Sequence, residues 1–165
     1  MNDVKIIDNF LTESEFKFIS DQVLHNKWFS WFLTHGVANS DIRESNKNHY
    51  YFAHIFYNEY STNSDYFKMV LPIIKKLDVK ALIRCKANLY YKTKDRIEHD
   101  PHTDYDYSHK GALLNLTTNN GCTVIDGKMY KSIENQMIIF DTSKSHNSTT
   151  CTDNELRVNI VTNYF

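Results

Sequence analysis

"ALIRCKANLYY", residues 81–91, changes character at every step. Its odd positions are Ala81, Ile83, Cys85, Ala87, Leu89 and Tyr91, whereas the even ones from 84 are Arg84, Lys86, Asn88 and Tyr90. Successive side chains of a strand point to opposite faces, so this period of two predicts a strand with one apolar and one polar face. Further strands follow in "GALLNLTTNNG" (111–121), "CTVIDGKMYKSI" (122–133), "NQMIIFDT" (135–142) and "LRVNIVTNYF" (156–165). Asp126-Gly127 is a dipeptide favoured by tight hairpins. Upstream, "VKIID" (4–8) and "HYYFAHIFY" (49–57) are strand-like. "TESEFKFISDQVL" (12–24) begins with a capping box, Thr12 three residues before Glu15, and places Phe16, Ile19 and Val23 at helical spacing. "SDYFKMVLPIIKKL" (64–77) is a second helix, with Pro72 as a kink or boundary. Residues 28–50, which hold Trp28, Trp31, His35 and His49, lack periodicity and read as a long loop. Two helices and six to eight short antiparallel strands make an α+β chain, mainly β. The architecture they predict is a double-stranded β-helix, or jelly roll, with N-terminal helices packed on it.

Composition narrows the function classes. The 165 residues suffice for a single domain over 1–165. Nineteen basic and 20 acidic residues leave a net charge of −1, which offers no electrostatic drive toward duplex nucleic acid. Cys85, Cys122 and Cys151 are odd in number and contain no CxxC, so they read as free thiols of a reducing cytoplasm. No apolar run is long enough to span a membrane. Charges at Asp3, Lys5 and Asp8 argue against a secretory signal in the first residues.

The chemistry concentrates in "HDPHTDYDY", residues 99–107. If that segment is extended, His102 and Asp104 present an imidazole and a carboxylate to one point. His99 falls on the other face unless Pro101 bends the chain, so a zinc site of His99, His102 and Asp104 is disfavoured. His146 follows the apolar strand ending at Phe140. Arg157 lies eleven residues further on, sharing a strand face with Asn159, Val161 and Asn163. A buried arginine needs an anionic partner, although an ordinary acidic neighbour would serve. His25, His35, His49, His54 and His109 read as ordinary surface or core histidines, and Trp28 and Trp31 as packing residues. "KTKDR" (92–96) reads as a solvated loop and a candidate lid.

Together, H-x-D, a distant histidine and an arginine about ten residues beyond it resemble the iron(II)/2-oxoglutarate dioxygenases. Within that superfamily, "VKIIDNFLTESEFKFI" and "IRCKANLYY" look like the entry and cosubstrate strand of prolyl 4-hydroxylase-type members. The stretch from "KANLYY" through "RVNIV" is similar to small oxygenases encoded by T4-like cyanophages. The resemblance implies that His102, Asp104 and His146 are catalytic and hold Fe(II) as a facial triad with open positions for 2-oxoglutarate and O2. It further implies that Arg157 pairs with the distal carboxylate of 2-oxoglutarate, aided by Tyr90 or Tyr91. Asn88 and Asn159 resemble cosubstrate-contacting residues of the oxidative nucleic-acid demethylases. The activity implied is hydroxylation of an unactivated C–H coupled to decarboxylation of 2-oxoglutarate to succinate. A prolyl residue or a small amino-acid-like molecule is the leading substrate, with no membrane partner and a cytoplasmic location (the host's, if phage-encoded). The alternatives are a nucleobase-oxidising dioxygenase and a non-catalytic jelly-roll binding or virion module.

Overall fold

A computed structural model describes residues 3–36 and 50–165. Eleven strands are formed among the described residues, more than the six to eight expected. They are β1 Lys5–Ile7, β2 Phe32–His35, β3 Tyr50–Asn58, β4 Ser61–Thr62, β5 Leu82–Tyr91, β6 Lys110–Asn115, β7 Asn119–Ile125, β8 Lys128–Ser132, β9 Met137–Asp141, β10 His146–Ser148 and β11 Leu156–Tyr164. Seven of them form the path β1-β9-β6-β11-β5-β3-β2, with β4 added on β3, and a minor sheet runs β10-β7-β8. All pairings are antiparallel. Two such sheets, mainly β with helices on one side, are the jelly-roll arrangement the strand pattern predicts.

The alternation in 81–91 sorts the two faces of the major sheet. Cys85, Ala87 and Leu89 join Val158, Ile160, Ala112 and Leu114 in the main apolar core, together with helix residues Ile19, Val23 and Ile73. Arg84, Lys86, Asn88 and Tyr90, on the opposite side, line a cavity. The sheet is therefore apolar toward the helices and polar toward the minor sheet.

Helix α1 (Glu13–Leu24) carries the expected capping box: the Thr12 hydroxyl accepts from the Glu15 N–H, and the Glu15 carboxylate accepts from the Thr12 N–H at 3.0 Å. Residues 64–77 do not make one helix. A 3-10 helix, Asp65–Val70, gives way to α2, Leu71–Lys76, and Pro72 sits in the first turn of α2, where its missing N–H costs nothing. The loop reading of 28–50 is corrected at Phe32–His35, which pairs with β3. Four residues are too few for a period to register; pairing with a long neighbour makes them a strand. His49 and residues 37–49 of that reading lie outside the described residues. The β7–β8 hairpin turns at Asp126 and Gly127, both with positive φ (50° and 75°), as a type I′ turn demands.

Candidate functional site

The 99–107 segment is not a strand of either sheet. It runs as a ribbon along β10, held by reciprocal backbone bonds of 2.9 Å between His102 and His146, and by bonds from His99 N–H to the Ser148 carbonyl and from Thr150 N–H to the Ile97 carbonyl. The strand parity assumed for His102 and Asp104 is corrected accordingly: the chain bends at 104, where the Asp104 N–H bonds the Thr142 carbonyl. Their convergence survives because these backbone bonds set it. One ligand atom each from His102, Asp104 and His146 fall within 4.8 Å of one another. The two imidazole centroids are 4.5 Å apart.

Each member of this cluster is prepared for a cation. The His146 Nδ1 donates to the Lys144 carbonyl at 2.9 Å, which fixes the tautomer and leaves Nε2 as the ligating nitrogen. Burial, reinforced by His146, pushes His102 down to about 4, so its imidazole is neutral near pH 7. For Asp104 burial acts upward, but Arg84, His146 and Asn163 outweigh it and hold the carboxyl at about 2. Both carboxylate oxygens are anchored, Oδ1 by Arg84 at 2.8 Å and Oδ2 by the Asn163 amide at 2.8 Å. Asn163 is itself held by the Thr142 hydroxyl, which bonds His109 Nε2 at 2.7 Å. A deprotonated carboxylate beside two imidazoles, one of them oriented by the Lys144 carbonyl, is a donor set that fits a divalent metal with open positions.

From this cluster a cavity of about 220 Å³ extends between the sheets. Its walls follow the β5–β11 register, in which Arg157 lies opposite Tyr90, Asn159 opposite Asn88, Val161 opposite Lys86, and Asn163 opposite Arg84. Arg157, at one end, is fully buried. It donates to the Ser132 hydroxyl (2.9 Å), the Thr149 carbonyl (3.2 Å) and the Thr123 hydroxyl (3.0 Å), and so spans the two sheets. Its guanidinium also lies over the Tyr90 ring at 5.3 Å. Among the described residues no carboxylate bonds it. A guanidinium has five N–H donors, so these three bonds leave one on each terminal nitrogen, the number a bidentate carboxylate accepts. Gly121 makes room for this arginine: a Cβ there would stand 2.5 Å from Arg157 Cδ and 3.0 Å from the Thr150 carbonyl oxygen. Asn88 donates to Asn159 at 3.1 Å and keeps a buried carbonyl oxygen with no partner, aimed at no protein donor.

Seven of the residues singled out in the sequence thus reach one cavity: His102, Asp104 and His146 at one place, with Tyr90, Asn88, Asn159 and Arg157 along its wall. Tyr90 is buried there, whereas Tyr91 is 52% exposed and lies outside the cavity. Residues 92–96 line none of it; Lys92–Asp95 border a separate groove with Tyr50 and Tyr91. The lid reading of 92–96 finds no support. His109, read as ordinary, supports the Asp104 shell, whereas His54 is the expected core histidine, bonded to the Ser30 carbonyl and Ser64. Sequence reading missed Arg84 and Lys86 as lining of this cavity, and Asn163 and Thr142 as supports of Asp104. The even-face alternation in 81–91 was the available signal for the first two.

No family model matches the sequence, and no curated protein does. Solved structures match over 98% of the chain. One is an oxidoreductase of the 2OG-Fe(II) oxygenase family from Burkholderia pseudomallei, with TM-score 0.69, 13% identity and 84% of that chain covered. Another is a prolyl hydroxylase from Trichoplax adhaerens in complex with a hypoxia inducible factor peptide fragment, with TM-score 0.67, 13% identity and 83% covered. A third is a Pseudomonas putida prolyl-4-hydroxylase, with TM-score 0.61, 10% identity and 91% covered. The chain shares their fold.

Proposed function

We propose that the chain is an Fe(II)- and 2-oxoglutarate-dependent dioxygenase that hydroxylates an unactivated C–H bond, acting from one domain over residues 1–165. One observation carries this reading. A two-histidine, one-carboxylate cluster opens into a cavity whose other end is a fully buried arginine bonded to no carboxylate among the described residues. A buried, uncompensated charge costs several kcal/mol, a cost that a non-catalytic jelly roll has no reason to carry. The dicarboxylate cosubstrate would supply the missing anion.

In this reading His102, Asp104 and His146 hold the iron. Iron held there, with 2-oxoglutarate and O2, would supply the oxidising power, the cosubstrate being converted to succinate and CO2. The chain's own residues position the reactants. Arg157 grips the distal carboxylate, in a fork geometry that lysine cannot reproduce. The Tyr90 ring packs between Tyr51 at 5.6 Å and His99 at 5.3 Å, which keeps it against the guanidinium. Asn88 and Asn159 form the wall between the two anchors and offer amide groups to the cosubstrate. Arg84 and Asn163 keep Asp104 ionised and fix the orientation of its carboxylate, which would hold the metal.

The substrate we favour is a prolyl residue or a small amino-acid-like molecule, by analogy with neighbours titled as prolyl hydroxylases. Nucleobase oxidation stays the second reading, on the Asn88/Tyr90 and Arg157/Asn159 pattern. The three cysteines are unpaired, which suits a reducing cytoplasm. No described helix is long and apolar enough to cross a membrane. The test is succinate release with Fe(II), 2-oxoglutarate and O2 over peptides, free amino acids and nucleosides. The account expects release that requires all three and is lost in His146→Ala. Release at the same rate in that variant, or none with any substrate or without one, would overturn it.

A further inference from the structure

The cavity holds more positive charge than the cosubstrate can neutralise. Among the described residues its lining contains Arg84, Lys86 and Arg157 against a single carboxylate, Asp104. A divalent metal and a dicarboxylate cancel each other, so loading the site as proposed above leaves that excess in place. Arg84 is spoken for by Asp104. Lys86 is not: both Asp104 oxygens are already bonded to Arg84 and Asn163, and among the described residues the Lys86 ammonium bonds only the Tyr51 hydroxyl, at 3.4 Å. It also lies 5.4 Å from the centroid of the Tyr51 ring.

The position of Lys86 separates it from the cosubstrate anchor. Arg157 sits opposite Tyr90 and Lys86 opposite Val161, four residues along each strand. Four residues of antiparallel strand span about 13 Å. A five-carbon dicarboxylate measures only about 5 Å between its terminal carbons. Its distal carboxylate at Arg157 would thus be remote from the Lys86 rung, and its other end would be taken by the metal. Lys86 instead neighbours the metal cluster, where its charge acts on both Asp104 and His102. Burial, with Arg84 adding to it, pushes the Lys86 ammonium down to about 8, so its charge is poorly supported by the surrounding protein groups. An aliphatic residue at this point of the wall would avoid that cost; the lysine makes physical sense if an anion arrives with the substrate.

We propose that Lys86, with the Tyr51 hydroxyl beside it, is the substrate's anion anchor, and that the substrate is a small molecule with a free carboxylate. This rests on the dioxygenase reading and chooses within it: a free amino-acid-like acid, not an internal residue of a peptide, whose carboxyl is an uncharged amide. Lys86 and Arg157 then divide the work, the first holding the substrate and the second the cosubstrate.

The test is calorimetric titration of the full chain, loaded with Mn(II) and 2-oxoglutarate, with the common L-amino acids and their C-terminal amides. At least one acid is expected to bind tenfold or more tightly than its amide. In Lys86→Met that ratio should fall below threefold, while Lys86→Arg keeps it. In both variants 2-oxoglutarate affinity should stay within threefold of wild type, and that arm also establishes that the variants are folded. The proposal is overturned if no acid outbinds its amide, if the preference persists in Lys86→Met, or if Lys86→Met weakens 2-oxoglutarate in proportion. A wild-type chain that fails to bind 2-oxoglutarate in the presence of Mn(II) sinks the dioxygenase reading itself, a separate and distinguishable failure.

Discussion

Two arginines stand at opposite ends of the β5–β11 wall, and they are compensated in opposite ways. Arg84 is paired with Asp104 at 2.8 Å, and that carboxylate receives a second bond from Asn163. Arg157 is more deeply buried, yet its bonds go to two hydroxyls and a carbonyl, all neutral. An ion pair that is complete within the chain orients its members and asks for nothing further. A buried guanidinium held only by neutral acceptors is positioned but not neutralised. In the proposed reading the contrast assigns different work to one residue type: Arg84 orients Asp104 for a metal, and Arg157 takes an anion.

The most severe way to break this contrast is to remove a ligand from the metal end. His146→Ala should lower Mn(II) or Fe(II) affinity by well over the ~100-fold that loss of an orienting partner alone can cost. Metal titration of the folded variant checks this, and an unchanged affinity would dismiss the cluster. At the other end, Arg157→Ala should weaken 2-oxoglutarate by about 2–5 kcal/mol, the range for breaking a buried charge pair. Metal affinity should move less than threefold, and titration calorimetry separates the two. A change in 2-oxoglutarate affinity below threefold would make Arg157 a structural strut between the sheets.

Milder variants sharpen the same division. Asn163→Ala frees one oxygen of Asp104 and should lower metal affinity by about 10–100-fold. Gly121→Ala drives a methyl against Arg157 and the Thr150 carbonyl. It should weaken 2-oxoglutarate by roughly 1–3 kcal/mol, the usual cost of overpacking, and leave metal affinity alone. If Asn163→Ala affected 2-oxoglutarate alone, or Gly121→Ala metal alone, the two ends would have been assigned the wrong way round.

The parts of this molecule that could be read from the chain are those with local causes. The alternation of 81–91 identified the polar wall of the cavity because strand geometry acts residue by residue. The Thr12–Glu15 cap and the Asp126-Gly127 turn are likewise decided by neighbours three positions apart or fewer. Phe32–His35 escaped because its strand exists through pairing with β3. The H-x-D ribbon was misread as a strand since its geometry comes from backbone bonds to β10, more than 40 residues away in the chain. The Asp104 support was invisible for the same reason. Arg84 and Asn163 lie 20 and 59 positions from it, and no period links them. Lys86 was visible as one polar residue of a polar face; the cavity adds that no carboxylate bonds it among the described residues.

The most direct test of the central claim is thermal denaturation of the full chain with Mn(II) alone, 2-oxoglutarate alone, and both. One site that holds a metal at His102, Asp104 and His146 and an anion at Arg157 should bind 2-oxoglutarate far better when the metal is present. The combined stabilisation should therefore exceed the sum of the separate ones, with 2-oxoglutarate at a hundred times its Kd adding about 2.7 kcal/mol to the Mn(II)-loaded chain. Strictly additive shifts would place metal and anion at independent sites, and no shift with Mn(II) would contradict the account outright.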